Sequence, residues 1–84
     1  MTWKISPDVA WVADSDGTLY AMPMSTLHPV ILAGALADLW RDLSAADDPV
    51  AGAMRRHGLK RDAVAAQVDG ALRQLRDGGL VVHG

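Results

Sequence analysis

The apolar pattern changes period once along the chain, near residue 33. Before that point it comes in short runs separated by turn residues. Val9-Ala10-Trp11-Val12-Ala13 and Thr18-Leu19-Tyr20-Ala21-Met22 flank Asp14-Ser15-Asp16-Gly17, a turn whose glycine accepts positive φ, and together they predict a β-hairpin. Pro23 ends or bends the returning strand, and Ser25-Thr26 turn the chain again. Leu27 to Leu32 then reads as a third strand running back antiparallel, which completes a meander. Trp3 to Ile5 is predicted as a short extended lead-in, broken by Ser6-Pro7-Asp8.

After Leu32 the period becomes helical. Leu36, Leu39, Trp40 and Leu43 fall at i, i+3, i+4 and i+7 on one face, in a helix that starts near Gly34 and ends between Ser44 and Pro49. Asp48 is placed as an N-cap with Pro49 in the first helical position, which predicts a second helix to His57, stopped by Gly58. A third helix, about Arg61 to Asp77, carries Val64, Val68, Ala71, Leu72 and Leu75 at helical spacing. Gly78-Gly79 end it, and Leu80 to His83 form a short extended tail.

The third strand holds a proline, which restricts where it can lie. A central strand needs every N–H for its two neighbours, so Pro29 predicts an edge. Backbone groups alternate sides along a strand. With Pro29 outward, His28, Val30 and Leu32 pair with the second strand, while Leu27 and Ile31 offer N–H groups to whatever docks. Blunting an exposed edge against aggregation is the simpler purpose of such a proline. The same unpaired groups would equally serve a second copy of the chain, as an edge-mediated homodimer.

At 84 residues the chain holds one domain with one small core, too little for a large enclosed catalytic pocket. Half of the residues are apolar, which excludes disorder, yet the longest apolar run is far short of a membrane span. The start lacks the basic-then-apolar pattern of a secretory signal and there is no cysteine, so a cytoplasmic protein without thiol chemistry is expected. A net charge of −2 argues against nucleic acid as partner and for a protein or peptide.

Candidate chemistry is sparse. Asp14-x-Asp16-Gly17 opens like a calcium loop, but the later ligands are missing and the chain contains no Glu. His28, His57 and His83 lie in a strand, a helix end and the tail, without the spacing of a metal motif. No nucleophile elbow or phosphate-binding glycine loop occurs, so neither a catalytic residue nor a cofactor is expected. Three helices before an extended tail also describe a winged-helix DNA binder. Its recognition helix would carry Arg61, Arg73 and Arg76, but Asp62, Asp69 and Asp77 alternate with them.

Several segments, in their order and spacing, resemble the PqqD-like family of peptide-recognition domains, the RiPP recognition elements of ribosomally made, post-translationally modified peptides. They are Trp11-Val12, the hairpin through Asp16-Gly17-Thr18-Leu19, and Val30-Ile31-Leu32 followed eight residues later by Trp40. Val68 to Leu75 running into Gly78-Gly79-Leu80-Val81 completes the set. Ala33 stands where the family usually has a polar residue, often Asn. The resemblance implies an α+β fold over residues 1–84: a three-stranded antiparallel sheet (about 9–32) on a three-helix, winged-helix-like bundle (about 34–78).

It also implies a non-catalytic adaptor. In such proteins the leader segment of a precursor peptide adds as a strand in a cleft between the third strand and the third helix. The cleft here would be made by Leu27, Pro29, Val30, Ile31 and Leu32 on one wall. Val64, Val68 and Leu72 would floor it, and Asp69, Arg73 and Arg76 would line a rim, Asp69 accepting a leader hydrogen bond and an arginine meeting a leader carboxylate. The implied partners are a leader peptidase, a macrocyclase or another modifying enzyme. Lasso-peptide proteins look most similar, with a PqqD-type chaperone for a radical-SAM enzyme as the alternative.

Overall fold

A computed structural model describes residues 3–45 and 47–83. The hairpin predicted by Asp14 to Gly17 forms between β2 (Val9–Ala13) and β3 (Leu19–Pro23), paired antiparallel with Trp11 opposite Ala21. Gly17 sits at φ 93°, and Asp16 accepts a hydrogen bond from the Thr18 N–H at 2.9 Å, which closes the turn. β4 (Val30–Leu32) continues the sheet in the order β2-β3-β4, with Ala21 opposite Val30 and Leu19 opposite Leu32. The third strand therefore begins at Val30 and not at Leu27. The first pair of strands is as long as the pattern predicts.

One interaction lies beyond any local pattern. The lead-in and the tail, β1 (Trp3–Ile5) and β5 (Val81–His83), pair with each other as a second, two-stranded antiparallel sheet. Trp3 stacks on His83 at 4.2 Å between ring centroids.

The helices follow the sequence closely: α1 (Ala35–Ser44), α2 (Pro49–His57) and α3 (Arg61–Asp77). Gly34 precedes α1 at φ 59° and Gly58 ends α2 in the left-handed region, positions where a Cβ is disfavoured. The inward faces are those the helical period selects. Leu39, Trp40 and Leu43 of α1 and Val64, Val68, Leu72 and Leu75 of α3 join Leu19, Ala21, Leu32, Leu80 and Val81 in one buried cluster. Trp40, fully buried, meets Trp11 edge to face, centroids 5.9 Å apart. Among the described residues no helix is long and apolar enough to cross a membrane.

Where α1 and α2 approach, Gly52 leaves room for the Asp42 carboxylate, which a Cβ there would overlap. Asp42 is held in place by Arg56 at 3.0 Å. At the start of α2, Asp48 accepts the Val50 N–H at 2.9 Å and an Arg61 guanidinium hydrogen bond at 3.1 Å. The Arg61 hydrogen bond is the main reason its carboxyl lies below the usual carboxylate range, with the cap adding to it. Asp48→Ala is expected to lower stability by about 1 kcal/mol at neutral pH, chiefly through the lost cap. Because the folded-state pKa is depressed, this stabilisation is present above the unfolded value and is lost as pH falls through the folded one. Urea unfolding at pH 7 and at about pH 2 should therefore show the gap between wild type and variant closing in acid.

Candidate functional site

Which backbone groups of the sheet are free follows from two hydrogen bonds at the ends of the hairpin. The Asp14 N–H donates to the Thr18 carbonyl at 2.7 Å, and the Met24 N–H donates to the Asp8 carbonyl at 2.8 Å. Even-numbered residues of β2 and β3 therefore face each other, and alternation sends Leu19, Ala21 and Pro23 of β3 towards β4. Their partners in register are Leu32 and Val30. Pro29 and Ile31 are left pointing outward, the phase that Pro29 predicts.

The outward side of β4 is poorer in donors than the sequence suggests. Leu27 was expected to offer a second N–H, but that N–H donates to the Pro23 carbonyl at 2.8 Å. The Thr26 N–H reaches the same oxygen at 3.3 Å, closing a tight turn that takes up the residues before His28. The turn also holds Leu27 at φ 59°, a left-handed conformation that disfavours a branched side chain. Ile31 is thus the single outward N–H of β4. Its side chain is 66% exposed on the sheet face away from the helices, while Leu32 is buried and Val30 half-buried against the core.

Helix α3 divides the remaining residues expected at the site. Val64, Val68 and Leu72 point into the core, because the stripe that would floor a cleft is also the one that packs the bundle. Val68 and Leu72 reach the edge of a cavity of about 700 Å³, whose lining does not include Val64. The walls of that cavity are Trp3 and Lys4 of β1, Leu43, the segment Asp47 to Val50, and Ala65 and Asp69 of α3. No β4 residue lines it. Where a single cleft between strand and helix is expected, this cavity takes its walls from β1, the end of α1 with the start of α2, and α3. A shallower depression of about 290 Å³ on the outer sheet face includes Pro29, with Ala10, Val12, Tyr20 and Met22.

The rim charges are already engaged with partners in the chain. Asp69 and Arg73 pair across one helical turn at 2.9 Å. The Arg76 guanidinium lies 5.9 Å from the Trp3 ring centroid, on an indole that also stacks on His83. Trp3 and Lys4 were missed as site residues. Their only local signal is an aromatic residue next to a cation in a short extended segment, and it is the pairing with β5 that brings them to α3.

No protein-family model matches the sequence, and no curated protein does. Among solved structures, TbiB1 in complex with the TbiA(beta) leader peptide matches with a TM-score of 0.86, at 19% identity over 96% of each chain. The two chains share one fold. At that identity the likeness is one of backbone, and it supports the α+β architecture of a three-stranded antiparallel sheet on three helices.

Replacing Leu27 by glycine relieves the left-handed strain without removing a buried contact. A gain of about 0.5–1 kcal/mol is expected, after the extra entropy of the unfolded chain is subtracted, and chemical denaturation will read it.

Proposed function

We propose that this chain is a non-catalytic adaptor. It binds the leader segment of a ribosomally synthesised precursor peptide as an added strand on β4 and delivers it to a leader peptidase, macrocyclase or other modifying enzyme of lasso-peptide biosynthesis. The observation that carries the reading is the shared fold with TbiB1, whose structure holds a leader peptide. The free outer side of β4 supports it, since backbone hydrogen bonds supply affinity and alternate side chains supply specificity in strand addition. Delivery works by effective concentration, the adaptor holding the substrate segment close to the enzyme.

With Pro29 and Ile31 outward, the guest strand receives one hydrogen bond, from Ile31, and donates to the carbonyls of Pro29 and Ile31. The pairing is short, so side chains contribute much of the affinity. Val30, Ile31 and Leu32 form the strand wall. Val68, Asp69, Leu72, Arg73 and Arg76 meet the leader from α3, while Val64 acts by packing the helix. A leader carboxylate at Arg73 competes with Asp69 for the guanidinium, which favours leaders that also give Asp69 a donor. A winged-helix DNA-binding function has less support. Arg61 is paired with Asp48 and Arg73 with Asp69, so α3 presents few free cations to phosphate.

A labelled leader peptide of the precursor encoded in the neighbouring reading frames should bind in a fluorescence-anisotropy titration. No binding at ~100 μM, about −5.5 kcal/mol, overturns the reading. Ile31→Pro deletes the outward N–H while leaving the bonds of Val30 and Leu32 to β3. It should weaken the leader roughly 5–10-fold at unchanged fold, whereas Arg55→Ala on α2 leaves affinity as it was.

A further inference from the structure

The sheet has two open sides, and the one away from the candidate peptide site is the better template. Among the described residues no strand covers β2 on its outer side. By the alternation that turns its even residues towards β3, Val9, Trp11 and Ala13 point their backbone groups outward. The Val9 N–H is donated to the Ser6 carbonyl at 3.2 Å, which leaves the N–H groups of Trp11 and Ala13 and three carbonyls. β4 offers one N–H over three residues, whereas β2 offers two over five. β2 also carries none of the usual edge guards, being without proline, charge or bulge.

We propose that β2 pairs antiparallel with β2 of a second copy of this chain, about a two-fold axis at Val12, joining two three-stranded sheets into one of six strands. The register follows from matching donors to acceptors. With Val12 opposite Val12 of the second copy, Trp11 lies opposite Ala13 and each such pair exchanges two N–H···O=C bonds. All four free N–H groups are satisfied. A large side chain faces a small one on the helix side, and two β-branched side chains meet on the outer face. Moving the axis to Trp11 instead would set that indole against its own copy and Ala13 opposite Val9, whose N–H is already donated to Ser6, so that those pairs exchange one bond each.

An uncharged strand meets itself without repulsion, and a two-fold pairing needs only one self-complementary surface. Val12, 61% exposed, gains an apolar neighbour across the axis. Both β4 edges remain open at the ends of the six-stranded sheet, so dimerisation and peptide binding do not compete.

The register is testable by cross-linking, because the native chain has no cysteine. Opposed Val12 residues form a non-hydrogen-bonded pair, with Cα atoms about 4.5 Å apart, within disulfide reach. Under mild oxidation of the full-length protein, Val12→Cys is expected to give a covalent dimer. Ala10→Cys, four residues out of register with its own copy, is expected to give none. Sedimentation of the wild type at ~100 μM should show a dimer, which Val12→Lys dissociates and Ile31→Pro leaves intact. A wild-type monomer at that concentration overturns the proposal. So does equal cross-linking of the two cysteine variants, or a dimer that Ile31→Pro dissociates, which would place the contact on β4. None of these readouts requires a leader peptide, so they test the dimer separately from the proposed function.

Discussion

Burial of the Trp40 indole is the interaction that joins the two halves of the molecule. It is fully buried in a cluster that draws Leu19, Ala21 and Leu32 from the sheet and Val64, Val68 and Leu72 from α3, with Trp11 against its ring. Its Nε1 finds no acceptor among the described residues. An unsatisfied donor costs about 1–3 kcal/mol. Burying the ring removes roughly 150–250 Å² from water, worth about 4–6 kcal/mol at 25 cal/mol per Å². The apolar term is the larger, so the indole stays inside. With it there, the sheet has one face committed to the helices and one left to solvent.

That commitment sets what the edges can do. A sheet packed on one face by α-helices exposes the backbone of its outermost strands, and the parity of β2-β3 pairing decides which groups point out. Pro29 and the turn at Leu27 both reduce what β4 offers, leaving an edge with one outward N–H that resists open-ended pairing. β2 has no such limit. The sheet therefore has one narrow edge, at β4, and one permissive edge, at β2, and the two proposed interactions would use one each.

The charges of α3 work differently from those of a cation-rich recognition surface. Asp69 and Arg73 neutralise each other at half-exposed positions, where an ion pair contributes little to stability but orients both side chains. Arg76 lies over Trp3, so the rim of the cavity is ordered by contacts between α3 and the first strand. A ligand entering there meets groups whose directions are already set.

Periodicity and punctuation were enough to determine the helices, the hairpin and the face of each that is buried. α3 runs from Arg61 to Asp77 as predicted, because its cues are local: apolar spacing, Gly58 before it and Gly78-Gly79 after it. Pro29 likewise disclosed an edge strand and its phase, since a missing N–H is a property of the residue itself. The pairing of Trp3–Ile5 with Val81–His83 joins opposite ends of the chain and left no local mark. For the same reason the cavity beside α3, walled by that pairing, was out of reach. Leu27 reads as strand from its neighbours, but a turn that closes on Pro23 took its N–H. Spacing also shows Val64, Val68 and Leu72 to be apolar and in line, and only packing decides that this stripe is core first and cavity wall second.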